Sequence, residues 1–300
     1  MPPPSSPVEI RGLDAGLVPA ALRLSAKAGW NQRDEDWRMA IEMTPGASFC
    51  ATAGDLLVGT CIGISYGELS WIAMMLVDSA FQRRGLGAAL LLRAIEALPG
   101  DRPVGLDATA VGRLLYEQHG FGVTCQLTRW IAERPLLSEA TEPLSGTTIQ
   151  SVTLPDLDDI AAADRDVFGA DRRRVLEWAA SVGPRCCAIA RIDGVLAGYV
   201  FGRTGRVFTH VGTIAARSQP IAEALVHHVA RTAAAPVGVD AFDALPQWTD
   251  WLKTHGFEPQ RPLVRMVRKA SQGRSSMETQ KRNGAAAEMR HYSIFGPEFA

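Results

Sequence analysis

The residues best placed to do chemistry form a short glycine-containing loop. An apolar segment from Ile72 to Val77 is followed by Gln82-Arg83-Arg84-Gly85-Leu86-Gly87 and then by a leucine-rich helical pattern that stops at Pro99-Gly100. The loop therefore joins a predicted strand to a helix N-terminus, where free backbone N–H groups and the helix dipole favour an anion. Glycine leaves room for a phosphate, and the two arginines add positive charge.

Three phosphate-binding patterns compete for this loop, beside an ordinary turn with no ligand. A Walker loop requires Gly-x4-Gly-Lys-Ser/Thr, which the chain lacks. A dinucleotide fingerprint requires a third glycine where this chain has Leu90. Asp107 lies about twenty residues beyond Gly87, which keeps an NAD-dependent oxidoreductase as an alternative. The third pattern, Gln/Arg-x-x-Gly-x-Gly/Ala after a strand, is matched by Gln82, Gly85 and Gly87.

This third pattern resembles the acetyl-coenzyme A loop of the GNAT superfamily of N-acetyltransferases. A second motif, Leu115-Tyr116-Glu117-Gln118-His119-Gly120-Phe121, is similar to an aromatic helix end in that superfamily. The resemblance implies that Tyr116 protonates the departing coenzyme A thiolate; alternatively, its ring simply packs in the core. The resemblance also implies a cofactor site formed by Met75, Leu76, Val77, Gln82, Arg83, Arg84, Gly85, Leu86, Gly87 and Ala88.

The two halves of the chain repeat one another. The segment Pro103-Val104-Gly105-Leu106-Asp107-Ala108 recurs as Pro236-Val237-Gly238-Val239-Asp240-Ala241, and His119-Gly120-Phe121 recurs as His255-Gly256-Phe257. Matches in the same order predict two copies of one fold. The predicted division is a tail at 1–7, a catalytic copy at 8–134, a linker at 135–146, a second copy at 147–269 and a partly docked tail at 270–300.

Each copy is predicted to be an α/β (α+β) domain with a twisted mixed β-sheet flanked by helices. The whole chain resembles tandem GNAT proteins of the YitH-like type. In the second copy, Pro220 and Ala222 replace Gly85 and Gly87, and a leucine replaces Tyr116. Proline removes an N–H group, and the added side chains crowd the space for a phosphate. We therefore expect the second copy to be degenerate and to bind no coenzyme A.

Four further residues are candidates for binding the acceptor. Trp30, Asp34 and Asp36 lie between the first two predicted helices, a segment that forms one wall of the acceptor site in GNAT-like folds. Its aromatic and acidic residues would suit a cationic amine; alternatively, Asp34 caps the second helix and Trp37 lies in the core. Asp107 could be a base or an amine anchor, but its recurrence in the degenerate copy favours a structural role, such as holding the following turn.

Composition limits the other classes of function. Lys+Arg is 31 and Asp+Glu is 32, which argues against a broad nucleic-acid surface. No apolar run reaches membrane-spanning length, and five scattered cysteines suit reduced, buried thiols in the cytoplasm. Neighbouring His227 and His228 point about 100° apart on a helix, and no zinc-type spacing occurs, so no metal is expected.

The resemblance implies an acetyl-coenzyme A-dependent N-acetyltransferase that acts by direct transfer in a ternary complex. Its acceptor is expected to be a primary amine of a small molecule, with no nucleic-acid or membrane partner. The chain is expected to be a monomer or a homodimer. A non-enzymatic module that senses acyl-coenzyme A is the alternative, because a fold by itself does not establish catalysis.

Overall fold

The computed structural model describes residues 7–136, 146–234, 236–270 and 289–300. The chain forms two compact units. Unit 1 comprises Met1–Gly122, Met266–Ser275 and Phe299, and unit 2 comprises Val123–Arg265, Ser276–Glu298 and Ala300. Most of the predicted linker, and the predicted tail from residue 271 to residue 288, lie outside the described residues. The domain boundaries drawn from the repeat stay a prediction.

Unit 1 contains a mixed sheet with helices packed on it. Its elements are β1 (Val8–Gly12), α1 (Val18–Lys27), α2 (Asp34–Met43), β2 (Ser48–Ala53), β3 (Leu56–Ser65), β4 (Ser70–Val77), α3 (Leu86–Glu96), β5 (Val104–Ala108) and α4 (Ala110–Gln118). Strands β1 to β4 pair antiparallel in chain order, and β5 joins β4 in parallel. The hairpin of β2 and β3 turns at Gly54-Asp55, as the sequence predicts.

The predicted apolar stripe of α3 packs on this sheet. Leu90, Leu91 and Ala94 are fully buried. The helix approaches β3 closely because β3 carries glycines there: a Cβ on Gly59 would lie 2.9 Å from Leu90 Cδ1. Burying each leucine stabilises the unit by roughly 1.5–3 kcal/mol. This packing fixes the axis of α3, and with it the direction in which its N-terminus points.

Unit 2 repeats this order of elements, with one additional strand before the repeated set and two after it. They are β6 (Phe121–Ala132), β7 (Thr147–Ser151), α5 (Asp156–Phe168), α6 (Arg173–Val182), β8 (Ala188–Ile192), β9 (Val195–Thr204), β10 (Thr209–Ala216), α7 (Gln219–Ala230), β11 (Val237–Phe242), α8 (Pro246–Thr254), β12 (Glu258–Arg268) and β13 (Arg290–Ser293). Strands β7 to β10 pair antiparallel in chain order, β10 and β11 are parallel, and β13 is antiparallel to both of them. The α/β class with mixed sheets is confirmed.

Strand β6 comes from the first sequence repeat but lies in unit 2 from Val123 onwards. It pairs antiparallel with β11, and Asp240 stands opposite Arg129 in the register. Both side chains are buried, and the guanidinium donates two hydrogen bonds of 2.7 Å to the carboxylate. Burial alone would raise the pKa of Asp240, but Arg129 and His210 outweigh it and hold that pKa well below its usual range.

This ion pair gives the repeated aspartate a structural role in unit 2, as its recurrence in both repeats favoured. Its carboxylate joins two neighbouring strands, and His210 Nε2 lies 3.4 Å from it. Sequence pattern could not show this contact, because Arg129 and Asp240 come from different repeats. None of the described helices is long and apolar enough to cross a membrane.

Candidate functional site

The candidate site in unit 1 starts at an irregularity in β4. Pairing between β3 and β4 shifts register between Thr60 and Ile62. As a result, Met74 and Met75 lie opposite the single residue Cys61, which is a β-bulge. Met74 has a φ of +50°, a conformation that a methionine adopts only where its surroundings impose it. The buried Thr60 hydroxyl donates a 2.7 Å hydrogen bond to the Met74 carbonyl oxygen and so holds the bulge.

Strands β4 and β5 pair over a short stretch and then part. Their parallel register covers only Ser70 with Val104 and Trp71 with Gly105. A Cβ on Gly105 would lie 2.2 Å from the Trp71 ring, so glycine is required where the strands meet. Beyond this point, among the described residues, no strand pairs with the β5-facing edge of β4. On that edge the Val77 carbonyl oxygen accepts a hydrogen bond from the Gln82 side chain, and the place of a paired strand stays open for another partner.

The glycine loop ends at the start of α3. Gly85 is the N-cap residue and has a φ of +80°, which glycine adopts without strain. No atom outside its immediate neighbours lies within 4 Å of the position that a Cβ would take, so the space beside it is open. The first backbone bond of the helix runs from Ala89 N–H to the Gly85 oxygen. The N–H groups of Leu86, Gly87 and Ala88 therefore have no acceptor within the helix.

The polar residues of the loop are partly ordered by their own backbone. Gln82 Nε2 donates a 3.0 Å hydrogen bond to the Val77 carbonyl oxygen, which ties the loop to the end of β4. The Arg84 guanidinium donates to the Ala80 carbonyl oxygen at 3.0 Å and lies 5.3 Å from the centre of the Phe81 ring. Arg83 and Arg84 are both exposed beside the helix N-terminus. Their charges reinforce the positive potential of that end.

Tyr116 lies on α4 and is 7% exposed. Its ring meets Phe121 edge to face, with 5.9 Å between the centroids. Burial raises the pKa of the Tyr116 hydroxyl above its ordinary value, and the nearby buried Cys61 thiol adds to the effect. The hydroxyl therefore keeps its proton at neutral pH. The Tyr116 hydroxyl, a proton donor, therefore lies near Cys61, the residue of β3 that faces the bulge.

These three parts of unit 1 meet at Gly87. A Cβ on Gly87 would lie 3.3 Å from Leu115 Cδ2 and 3.4 Å from Met75 Cε. The start of α3, the bulge of β4 and the helix of Tyr116 therefore approach one another at a position where a side chain would press on both neighbours. The structure thus brings two of the predicted cofactor residues, Gly87 and Met75, close to the helix that carries Tyr116. The arrangement combines the free amides of a helix N-terminus, a strand edge without a strand partner and a protonated hydroxyl.

Three of the predicted acceptor residues lie just before helix α2 or in its first turn: Trp30, Asp34 and Asp36. Helix α2 has Arg33 as its N-cap, so the expectation that Asp34 caps it is wrong. The Asp36 carboxylate accepts the Arg33 N–H at 2.6 Å, because its position in the first turn lets it reach back to the cap. Asp34 instead pairs with Arg38 one turn along. Trp37 is fully buried, which agrees with the core alternative.

Trp30 and Asp107 are partly exposed, and Asp107 lies on β5. Each makes an interaction with another residue. The role of Trp30, Asp34, Asp36 and Asp107 in binding an acceptor stays a prediction. Among the described residues, no group of three metal-ligating side chains could hold a metal ion.

The repeated histidines have one structural role in both halves. His119 Nδ1 lies 2.8 Å from the Leu115 carbonyl oxygen, and His255 Nδ1 lies 2.8 Å from the Trp251 carbonyl oxygen. Each imidazole thus satisfies a carbonyl in the last turn of its helix. The two repeated histidines therefore play the same structural part at the ends of their helices.

Sequence reasoning missed Thr60 and Met74, which create and hold the bulge. Neither residue carries a motif, because a bulge depends on the register between two strands. Unit 2 has the same irregularity: the pairing of β9 with β10 shifts register between Val211 and Ile214. A bulge thus recurs within one residue of the same place in the repeat, a signal that only the structure supplies.

The equivalent cleft in unit 2 opens in the same way. Strands β10 and β11 pair only at Thr209 with Val237 and at His210 with Gly238. Beyond that point β13 enters, and Ser293 pairs with both Ile214 and Ala241. The cleft that is left unpaired in unit 1 is therefore filled by a strand in unit 2.

The helix that follows this cleft also differs. Helix α7 has Ser218 as its N-cap in an extended conformation, with Pro220 in its first turn. Ile221 and Ala222 are buried, whereas the matching end of α3 is partly exposed. The Gln219 amide donates to Glu223 and to the Gln247 carbonyl oxygen. This end has a missing N–H, an acidic neighbour and no left-handed glycine, so it offers a poor place for a phosphate.

Comparison with known proteins places both halves in one family. Two family descriptions, each an acetyltransferase (GNAT) domain, match residues 45–123 and residues 160–280. The chain is 26% identical over 259 residues to YitH of Bacillus subtilis (strain 168), named an uncharacterized N-acetyltransferase. The match covers 84% of this chain and 89% of that protein.

Solved structures show the same fold. A Pyrococcus horikoshii protein assigned to the acetyltransferases superposes with a TM-score of 0.77 at 19% identity and covers 98% of this chain and 96% of its own. A tandem GNAT protein from the clavulanic acid biosynthesis pathway superposes with a TM-score of 0.62 at 16% identity, covering 89% of this chain and 99% of its own. At such low identity these likenesses show the fold alone.

Proposed function

Since this chain is a GNAT acetyltransferase with two such domains in tandem, we propose that unit 1 transfers an acetyl group from acetyl-coenzyme A to a primary amine of a small molecule. The observation that carries the proposal is the convergence at Gly87 of the α3 N-terminus, the β4 bulge and the Tyr116 helix. The residues present fit the cofactor, because the α3 N-terminus suits its pyrophosphate and the strand edge of β4 suits its pantetheine arm.

The pyrophosphate would be held at the start of α3. The backbone N–H groups of Leu86, Gly87 and Ala88 supply donors, Gly85 leaves open space, and Arg83 adds charge. Gln82 and Arg84 hold the loop in position through their bonds to backbone oxygens. The amides of the pantetheine arm would pair with the free edge of β4 at Met75, Leu76 and Val77, as an added strand does.

The acetyl thioester supplied by acetyl-coenzyme A would then lie beside the bulge. A backbone N–H near Met75 would polarise the thioester oxygen, a contribution of a few kcal/mol when it is pre-aligned in a site without water. The bulge serves this purpose because it turns backbone groups away from the regular pairing direction. Thr60 positions the bulge through the Met74 carbonyl oxygen.

Tyr116 would complete the transfer as the general acid. The amine nitrogen forms a bond to the acetyl carbon while the bond from carbon to sulfur breaks, and the sulfur takes the Tyr116 proton. The raised pKa keeps that proton available at neutral pH. The acceptor nitrogen loses its own proton to water, directly or through a chain of water molecules that leads to a carboxylate.

Ligand stabilisation and turnover test this proposal together. Coenzyme A should raise the melting temperature of the full chain, and NAD should not, because only the former would bind the native state. Calorimetric titration should give one coenzyme A site per chain. A panel of amino acids, polyamines, aminoglycosides and peptide N-termini should then reveal an acetylated amine. Tight binding of coenzyme A without turnover on any amine would favour the sensing module, and stabilisation by NAD alone would contradict the proposal.

A further inference from the structure

The cleft between β10 and β11 in unit 2 is lined by the counterparts of a functional stretch of β4. The parallel pairing starts at Ser70 in β4 and at Thr209 in β10, and a bulge follows in both strands, one residue sooner in β10 than in β4. By this alignment Ile214, Ala215 and Ala216 occupy the places of Met75, Leu76 and Val77. Those three residues of β10 pair with residues 290–293 of the same chain.

The residues from 290 to 300, called here the 290–300 segment, are held through backbone bonds on both sides. Ile214 pairs with Ser293, and Ala216 pairs with Arg290, along β10. On the β11 side, Ile294 N–H donates to the Asp240 carbonyl oxygen at 3.1 Å. The Ser293 hydroxyl donates to the same oxygen at 2.9 Å. This is the pattern of strand addition, in which main-chain bonds supply affinity without regard to sequence.

Two side chains of the segment pack against separate groups of apolar residues. Tyr292 is buried with its ring edge to face on Trp248, 5.3 Å between centroids. Ile294 is fully buried and packs with Leu127 and Leu263. Alternate side chains of an added strand are the usual source of its sequence selectivity.

Charged groups anchor the far end of the segment. The Arg203 guanidinium pairs with Glu298, and both side chains are buried. Arg172 is fully buried, donates to the Asp164 carboxylate at 2.7 and 2.9 Å, and donates also to the Ala300 backbone oxygen. Burying such charges is costly unless each finds its partner, so these contacts favour one sequence and one register of the segment.

We propose that the cleft between β10 and β11 is a peptide-binding site that recognises an extended chain by strand addition, and that its ligand is the 290–300 segment of this same protein. Unit 2 has thus kept the opened strands and the bulge while it accepts a peptide in them. Recognition resides in the segment itself and does not require its covalent connection to β12. The proposal is independent of whether unit 1 transfers acetyl groups.

Cleaving the connection in the full chain tests this directly. A site for a sequence-specific protease is inserted between Lys269 and Met289, and the intact protein is purified and then cut. The released piece should stay with the body through gel filtration, at one copy per chain in native mass spectrometry. A labelled synthetic peptide of residues 289–300 should exchange into the cut protein and reach the same stoichiometry.

Peptide variants distinguish sequence-specific recognition from nonspecific binding. Ile294→Asp would place an unpaired carboxylate among Leu127 and Leu263 and should compete at least tenfold more weakly than the parent peptide. Arg290→Ala is the matched control in the same strand, because the Arg290 side chain is exposed, and it should compete equally well. Equal competition by the Ile294→Asp peptide would overturn the proposal. Loss of the cut piece from a body with unchanged melting temperature and circular dichroism would do the same.

Hydrogen exchange on the uncut chain covers the case in which cutting unfolds the protein. The Ile294 amide should exchange as slowly as the Ile214 amide, because both lie within one paired region. Exchange of the Ile294 amide at the rate of an unstructured peptide would show that the segment is not held, and would overturn the proposal by itself.

Discussion

The two clefts of this protein begin alike and end differently. In unit 1, β4 and β5 pair at two positions and part, and in unit 2, β10 and β11 do the same. Each cleft has a bulge on its first strand. Beyond the bulge, unit 1 presents an unpaired edge and a glycine-capped helix, whereas unit 2 contains β13 and a helix with proline in its first turn.

This difference separates the features that both clefts share from the features that change with what occupies the cleft. The parting of the strands and the bulge are properties of the main chain, and they persist when the occupant changes. Helix capping is decided by few residues: Gly85 permits an exposed left-handed cap, and Pro220 removes a donor at the matching helix end. On the two proposals made above, a cleft built from backbone serves a cofactor in one copy and a peptide in the other.

The largest expected effect concerns the ion pair that Asp240, the repeated aspartate in unit 2, makes with Arg129. Asp240→Asn should lower the free energy of unfolding by about 3–5 kcal/mol, because it leaves the buried Arg129 guanidinium without its counter-charge. Urea unfolding measures the change. Asp243→Asn, the same replacement at an exposed position, is the control and should stay within about 0.5 kcal/mol of the parent.

The contribution of the Asp240–Arg129 pair to stability should depend on pH in a definite direction. The pKa of Asp240 is depressed in the folded protein, so its contribution is fully present above an unfolded-state pKa of about 3.9 and is lost as the pH falls further. The stability difference between parent and Asp240→Asn should therefore shrink in acid. A difference that grows as the pH falls would contradict the assignment of the charge.

The next effect tests the acid of unit 1, whose counterpart in unit 2 is Leu252. Tyr116→Phe should lower turnover by about 10²-fold and leave coenzyme A affinity nearly unchanged, because only a hydroxyl is removed. Pre-steady-state kinetics and calorimetry measure the two quantities separately. Because burial raises the pKa of Tyr116, ionisation of this group should cause no fall in rate up to pH 9. Unchanged turnover in a chemistry-limited assay would remove Tyr116 from the mechanism.

A charge reversal at the loop probes the glycine-capped end of α3. Arg83→Glu should weaken coenzyme A binding about tenfold, or ~1.4 kcal/mol, with a smaller loss at high salt. Arg93→Glu makes the same change in the last turn of the same helix and should leave affinity unaltered. Equal losses in both variants would indicate a general charge effect and would argue against a phosphate site at this end.

The smallest expected effect sharpens the role of the bulge. Thr60→Val keeps the shape of the side chain but leaves the Met74 carbonyl oxygen without its donor, and should cost about 1 kcal/mol of stability. Turnover should fall a few-fold as the bulge relaxes, with Thr60→Ser as the control that retains the hydroxyl. A stability loss with wholly unchanged turnover would separate the bulge from catalysis.

Much of the fold follows from local pattern. The β2–β3 hairpin around Gly54-Asp55, the stripe of α3 and the break at Pro99-Gly100 depend on neighbours in sequence, so they were predictable. Asp34 was considered as the N-cap of α2, but the N-cap is the preceding residue, Arg33. The side chain that accepts from the Arg33 amide is that of Asp36. Capping depends on which side chain points back along the chain, and composition does not reveal that.

The candidate site divides in the same way. Gln82, Gly85, Gly87 and Tyr116 were recognisable because their spacing along the chain repeats a known pattern. The bulge at Met74 and the hydrogen bond from Thr60 could not be predicted, because both arise from the register of two strands. The roles suggested for Trp30, Asp34, Asp36 and Asp107 stay predictions.

The sequence by itself determined the two repeats, the α/β class of each, the glycine loop before a helix and the loss of that loop in the second half. These properties are local, or compare one stretch of chain with another. Tertiary structure decided that β6 pairs with a strand of the other repeat, that Asp240 meets Arg129, and that the 290–300 segment fills the cleft of unit 2. Such contacts join residues more than a hundred positions apart or depend on strand register, and neither spacing nor composition encodes which distant edge a strand will find.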